Sequence, residues 1–163
     1  KRTKPLCHQC PRADICEAKK QNRIAELPRK KTALEVQTLP LYWLIVRNPD
    51  GAILLEKRPA KGIWGGLYCV PCFEKLDETY DCAEKFGIFS DDLSEQPALT
   101  HRLTHRLLMI TPFEAQISSP DTLPRSENAS KDNRFWVKPE NLADYGLPKP
   151  LADYLKQRQQ ALF

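Results

Sequence analysis

Three cysteines near the start of the chain, Cys7, Cys10 and Cys16, are spaced Cys-x2-Cys-x5-Cys. Thiolates this close in sequence can be gathered by short turns around one metal ion or iron–sulfur centre. Such a centre takes four ligands as a rule, and the remaining cysteines, Cys69, Cys72 and Cys82, stand more than fifty residues away. The fourth ligand is therefore expected upstream of Lys1, which would make this sequence a piece of a longer protein, cut through its own cofactor loop. With only three thiolates, residues 1–16 are expected to be metal-free and loosely ordered. A second stretch with chemistry in it is Leu99-Thr-His-Arg-Leu-Thr-His-Arg106, where hydroxyls and imidazoles alternate with leucines.

The elements that must position these groups can be read from pattern and turn chemistry. Residues 17–38 form a polar, basic connector in which Pro28 stops any helix begun near Cys16. Leu41–Arg47 and Ala52–Lys57 are strand candidates joined by the turn Asn48-Pro49-Asp50-Gly51. The glycine-rich stretch Gly62–Tyr68 leads to a short strand ending at Phe73. Leu76, Tyr80, Ala83 and Phe86 recur at helical spacing, with Gly87 as the stop. A strand pair is expected between Ala98 and Ile117, broken around His101–His105. Leu99, Leu103, Leu107 and Met109 would share one face of it, with His101 and His105 interleaved. Ser118–Asn133 is a polar loop, Arg134–Val137 a strand, Pro139–Tyr145 a short helical segment and Lys149–Gln159 a closing helix. The sum is an α+β domain with a mixed sheet.

Composition bounds the rest. The 163 residues suffice for one globular domain with a core, plus an appendage. The longest apolar run, Leu41–Val46, is far too short to cross a bilayer, and no apolar signal region follows the basic start. Six cysteines fit a reducing cytoplasm, where clustered thiols bind metal. The net charge of +4 is uneven: residues 1–31 carry +7 and the remainder −3. A basic head of this kind is either a phosphate-backbone contact or a solvated linker.

The cysteine spacing and the stretch Gly62-Ile-Trp64-Gly-Gly-Leu-Tyr68 together resemble the C-terminal part of a MutY-type adenine DNA glycosylase, over essentially the whole chain. That family holds a [4Fe–4S] cluster on Cys-x6-Cys-x2-Cys-x5-Cys. The resemblance makes Lys1–Leu6 the six-residue spacer, Cys7, Cys10 and Cys16 three of the ligands, and places the first ligand immediately before Lys1. It implies a Nudix-like mixed sheet flanked by helices over residues 39–163, preceded by the irregular cysteine segment 1–16 and the connector 17–38. It further implies that Leu103-Thr104-His105 take the place of a Phe-Ser-His loop contacting 8-oxoguanine opposite adenine in double-stranded DNA. 8-Oxoguanine has an N7–H donor where guanine has an acceptor, so an accepting hydroxyl or carbonyl favours the lesion. Thr104 keeps the hydroxyl, while Leu103 replaces the aromatic residue. His105 is read as a recognition residue and His101 as structural. Trp64 is read as a buried anchor, with base stacking as the alternative, and Cys69, Cys72 and Cys82 as small packed residues.

A working Nudix box needs Gly-x5-Glu-x7-Arg-Glu-x-x-Glu-Glu-x-Gly, whose glutamates hold divalent cations against a pyrophosphate. From Gly66 the register lands on Cys72, Tyr80, Asp81, Glu84, Lys85 and Gly87. The glycines persist, Asp81 and Glu84 keep two of the four acids, and Lys85 carries the wrong sign, so hydrolase activity is expected to be lost. The family's catalytic carboxylates lie in a domain outside this sequence, so no glycosylase turnover is expected from it alone. Its partners would be lesion-bearing DNA and its own N-terminal catalytic domain, in a bacterial cytoplasm at the nucleoid, with no membrane. The end Gln159-Gln-Ala-Leu162-Phe163 resembles a sliding-clamp docking peptide, or is simply an amphipathic helix running out. Two other readings stay open: a Nudix hydrolase of oxidised nucleoside triphosphates, and a zinc-bearing interaction module.

Overall fold

In the computed structural model, which describes residues 5–27, 36–118 and 133–160, the apolar run Leu41–Val46 becomes the middle of an eleven-residue strand, β1 (Gln37–Arg47). Trp43, Leu44, Ile45 and Val46 are all fully buried. Strand side chains alternate between faces, so an unbroken apolar run means that both faces are covered. Trp43 and Ile45 enter one core layer with Ile53, Leu108, Ile110, Leu151 and Leu155. Leu44 and Val46 enter another with Leu54, Cys82, Ala83, Phe86 and Ile88.

The chain divides into two compact units, Lys1–Glu35 and Val36–Phe163. The first holds a 3-10 turn at Cys7–Gln9, a single-turn helix α1 (Glu17–Lys20) and a second 3-10 turn at Ile24–Glu26, none with a buried residue. Its ion pairs, Lys20–Glu17 at 3.6 Å and Arg23–Glu26 at 3.0 Å, are solvent-exposed, which makes each worth a few tenths of a kcal/mol, on the order of 0.5.

The second unit is built on one eight-stranded mixed sheet. Its other strands are β2 (Ile53–Lys57), β3 (Tyr68–Cys69), β4 (Cys72–Phe73), β5 (Ser94–Glu95), β6 (Leu99–Arg102), β7 (Arg106–Gln116) and β8 (Arg134–Val137). The order is β3-β2-β1-β7-β5, with β4 added on β1, β6 on β7 and β8 on β2. At the centre β1 and β7 run parallel in register from Gln37↔Arg106 to Arg47↔Gln116. Helix α2 (Leu76–Glu84) contributes Cys82 and Ala83 to one core layer, and helix α3 (Lys149–Gln160) contributes Leu151 and Leu155 to the other. The expected α+β mixed sheet flanked by helices is therefore what forms.

Local chemistry sets the joints. The Asn48 side chain accepts the Ala52 N–H at 2.8 Å and closes the turn between β1 and β2. After α2, Gly87 takes φ +70°, its N–H bonds to Glu84 O at 2.8 Å and the next N–H, of Ile88, returns to Ala83 O at 3.1 Å. That pairing satisfies the last carbonyls of the helix and drops Ile88 into the core beside Ala83.

Several details depart from the expectations. β1 begins four residues earlier than Leu41, because β7 offers a partner along its whole length. The strand expected to end at Phe73 is two short strands separated by Val70 and Pro71, and β5 was not anticipated. Leu107 and Met109 do not share a face with Leu99 and Leu103. Leu99 pairs with Ile110 and His101 with Leu108, so the turn between the strands sends Leu108 and Ile110 inward and leaves Met109 45% exposed. Of the loop expected at Ser118–Asn133, residues 119–132 lie outside the described residues, as do Leu162 and Phe163.

Candidate functional site

β6 and β7 form a hairpin in which Arg102 pairs with Leu107 and the Leu103 N–H donates to Arg106 O at 2.8 Å. Only Thr104 and His105 remain for the tip, and both are exposed. The two flanking strands hold that tip to a narrow range of positions, and the His105 carbonyl also accepts the Gln37 N–H, at 3.4 Å. Leu103 is different. It is half-buried and packs on the inner core layer with Leu99, so it anchors the base of the tip. The structure thus brings Leu103, Thr104 and His105 together in one turn, with a hydroxyl and an imidazole presented outward. Those groups can donate to or accept from a base edge.

Behind the hairpin lies a row of rings that the sequence did not reveal. Trp64 sits with ring centroids 6.4 Å from His101 on β6 and 5.9 Å from Trp43 on β1, and Trp43 is 6.3 Å from Tyr154 on α3. Trp64 is half-buried and holds a left-handed φ of +56°, a conformation that costs a non-glycine residue about 1–3 kcal/mol. The loop that carries it closes on itself through Gly66 N–H to Pro59 O at 3.0 Å and Leu67 N–H to Trp64 O at 3.1 Å. His101 is therefore a packed residue of the inner face, and Trp64 is an anchor in the Gly62–Tyr68 stretch.

An open groove of about 440 Å³ lies between β6 and α3, with Gln96, Thr100, His101, Asp153, Tyr154 and Arg158 among its walls. Its charged groups already hold one another. Lys149 pairs with Asp153 at 2.9 Å, and Glu114 on β7 accepts from Tyr154 Oη at 2.7 Å and from Arg158 Nη2 at 2.6 Å.

Cys7, Cys10 and Cys16 are free thiols in the first unit, Cys10 exposed and the other two half-buried. Cys7 and Cys10 bracket one turn, the Cys10 N–H lying 3.4 Å from Cys7 O, and Cys16 precedes α1 and accepts the Lys19 and Lys20 N–H groups at its carbonyl. Among the described residues no three His, Cys, Asp or Glu side chains are gathered as a metal site. The donor set nevertheless suits a thiolate-bound cluster in type and spacing, with three ligands of the four that a cubane takes.

A family model for the NUDIX domain matches residues 42–157. The chain belongs to the Nudix family. The chain is also similar to two curated proteins. One is the adenine DNA glycosylase of Buchnera aphidicola subsp. Schizaphis graminum, 28% identical over 156 residues, which is 93% of this chain and 43% of that protein. The other is the adenine DNA glycosylase of Buchnera aphidicola subsp. Baizongia pistaciae, 24% identical over 150 residues, or 92% of this chain and 41% of that protein. The chain thus spans about two-fifths of the length of each. Among solved structures, the C-terminal domain of mouse MUTYH, in complex with human PCNA, shares the fold. It has a TM-score of 0.55 and 14% identity, covering 75% of this chain and 89% of that one.

Within this Nudix domain two of the four acidic box positions, at Cys72 and Lys85, carry no acid. Cys72, in place of the first glutamate, is buried, and burial pushes its thiol up to about 11, so it is neutral at physiological pH. Tyr80, in place of the arginine, turns its ring against Phe113 at 6.0 Å. Asp81, Glu84 and Lys85 are exposed on or just after α2, and the cationic Lys85 stands where an acid would be needed. Close to Cys72 there is instead a guanidinium pair around one carboxylate. Glu56 bonds to Arg134 at 2.9 Å and lies 3.9 Å from Arg58, which donates to the Cys72 carbonyl at 3.4 Å.

Proposed function

We propose that this chain is the 8-oxoguanine-reading module of an adenine DNA glycosylase, the repair enzyme that extracts adenine from its mispair with 8-oxoguanine. The observation that carries the reading is the likeness to two adenine DNA glycosylases along 93% and 92% of the chain. Two features of the chain support it: a hairpin tip that presents a hydroxyl and an imidazole, and a Nudix box with only two of its four acids, Asp81 and Glu84. Excision requires the target adenine to be flipped out of the stack, a task for the catalytic domain that such an enzyme carries elsewhere. The tip would then read the opposite strand. The Thr104 hydroxyl or a tip carbonyl accepts from the lesion's N7–H and is repelled by the N7 lone pair of guanine.

Cys7, Cys10 and Cys16 would hold three corners of a [4Fe–4S] cluster, with a fourth thiolate contributed from before Lys1. When bound, such a cluster cross-links its loop and so fixes the basic residues around it for phosphate contact. The further partners on this reading are the enzyme's own catalytic domain and a sliding clamp. The clamp is suggested by the solved MUTYH domain–PCNA complex and by Gln159, Leu162 and Phe163. The setting would be the bacterial cytoplasm at the nucleoid; no helix among the described residues is long and apolar enough to cross a membrane.

Thr104→Ala tests the reading. Binding of the chain to duplexes carrying adenine opposite 8-oxoguanine or guanine should lose about 1–3 kcal/mol of its preference for the lesion. Equal losses on both duplexes would reduce Thr104 to a fold-supporting residue. Nudix membership keeps a hydrolase of oxidised nucleoside triphosphates as the second reading. Pyrophosphate released from 8-oxo-dGTP by the same protein with Mg²⁺ would decide for it, and none is expected because the ligand set is incomplete.

A further inference from the structure

β1 runs further than its core requires. Leu41, Trp43, Leu44, Ile45 and Val46 are buried, but Gln37, Thr38 and Pro40 are exposed and Leu39 is half-buried. Ordering four residues costs conformational entropy, and burial returns little of it here. Among the described residues, 37–40 pair with 106–109 of β7 and with no other strand. Residues 106–109 are the arm by which the hairpin leaves its tip, so what the extension of β1 supports is the tip.

The arms are joined at the tip by one bond. Leu103 N–H donates to Arg106 O at 2.8 Å, and the reverse bond, from Arg106 N–H to Leu103 O, is not formed among the described residues. Thr104 and His105 lie outside that bond. Among the described residues the one hydrogen bond that reaches either of them comes from another strand: Gln37 N–H donates to His105 O at 3.4 Å. Gln37 stands one residue into the second unit, which begins at Val36, so the chain is tied to the tip as soon as it enters the sheet.

Alternation decides which residues of the extension can do this. Successive backbone N–H groups of a strand point to opposite edges. Gln37 N–H points to β7, whereas Leu44 N–H, of the other parity, points away and donates to Pro71 O at 2.9 Å. Pro40 shares the parity of Leu44, so the residue without an N–H stands where β7 needs none.

We infer that Gln37 is a positioning residue for the lesion-reading tip, acting through its backbone N–H on the His105 carbonyl. This role rests on the reading of Thr104 and His105 as the tip that meets the lesion. Held toward β1, the His105 carbonyl lies along the sheet rather than facing a base, which leaves Thr104 to supply the acceptor for the lesion's N7–H. The bond is long, so its loss costs selectivity and not the fold. Without it the tip keeps both arms, samples more orientations and must be reordered at each encounter with DNA.

Backbone amide relaxation and lesion preference, both measured on the 163-residue chain, test the role of Gln37. Gln37→Pro removes the donor at an exposed strand start, where proline is tolerated. It should lower the order parameters of Thr104 and His105 from about 0.85 to below about 0.6. Its preference for a duplex with 8-oxoguanine over one with guanine opposite adenine should shrink roughly 2- to 10-fold, the worth of one hydrogen bond. Gln37→Ala, which keeps the N–H, and Thr38→Pro, which removes an N–H of the other parity, should change neither quantity. In the parent chain the Gln37 amide should exchange with solvent more slowly than the Thr38 amide, a measurement that needs no variant. Equal exchange overturns the role, as does a tip as ordered in Gln37→Pro as in the parent, or an equal loosening in Gln37→Ala. A loosened tip with full lesion preference also overturns it, provided Thr104→Ala lowers that preference. If the chain shows no lesion preference, or Thr104→Ala leaves it intact, the lesion reading fails, and amide exchange and tip order alone decide the role of Gln37.

Discussion

Glu114 shows how much one side chain can hold. From β7 it accepts hydrogen bonds from Tyr154 Oη at 2.7 Å, Arg158 Nε at 2.9 Å and Arg158 Nη2 at 2.6 Å, and so ties α3 to the sheet behind the hairpin. Burial by itself would raise the Glu114 carboxyl, but the bonds from Arg158 and Tyr154 and the nearby guanidinium charges outweigh it and hold it below its ordinary value. The same burial and the bond to Glu114 push the Tyr154 phenol well up. A carboxyl lowered on folding stabilises the native state above its unfolded value, about 4.3. That contribution is lost as pH falls from there through the lower folded value. Arg158 is 39% exposed, so screening by water limits the contribution to about 1–2 kcal/mol. Glu114→Gln should therefore lower stability to denaturant at pH 7 by that amount and bring little further loss at pH 3.5. An acid limb as steep as the wild type's would show that other carboxylates dominate it.

At the scale of elements, the Gly62–Tyr68 loop decides where the hairpin sits. Its tryptophan turns back onto His101 and Trp43 because the chain at Gly65 passes very close to the segment before it. A Cβ at Gly65 would lie 2.6 Å from Ala60 O and 3.3 Å from Pro59 O, both backbone atoms. No side-chain rotation relieves such a contact, so Gly65→Ala must push the loop outward. The expected cost is about 1–3 kcal/mol, with the ring of Trp64 leaving His101. Denaturation followed by tryptophan fluorescence measures the first, and the histidine ring resonances measure the second. A variant as stable as the parent would mean that the Pro59–Ala60 segment yields freely. The hairpin itself needs no such help at its tip, where a two-residue connection between paired strands suffices.

For the whole molecule, both core layers are drawn from Val36–Phe163, while the cysteine unit has no buried residue in its helical segments. A segment with no buried residue among its described residues, 5–27, is the kind that a cluster commonly holds together. A polypeptide extended upstream of Lys1 should then carry about four iron and four acid-labile sulfide per chain, by the cubane stoichiometry. Cys10→Ser should abolish the visible absorption of that cluster. Stoichiometric zinc without sulfide would defeat the proposal for Cys7, Cys10 and Cys16. Much of the architecture was legible in the chain because it rests on local rules. The Asn48–Gly51 turn, the helix that stops at Gly87, the break before Arg106, the strand at Arg134–Val137 and the closing helix all follow from periodicity and turn residues within a few positions. The box substitutions at Cys72, Tyr80 and Lys85 were equally plain, since they depend on residue type alone. Tertiary structure decided the rest: the parallel pairing of β1 with β7, the docking of β8 on β2, the outward turn of Met109, the reach of Glu114 to Arg158 and the fold-back of Trp64. The physical reason is common to all five. Backbone hydrogen bonding between strands is blind to side-chain identity, and the groups that meet are brought together only when the whole sheet closes around its core.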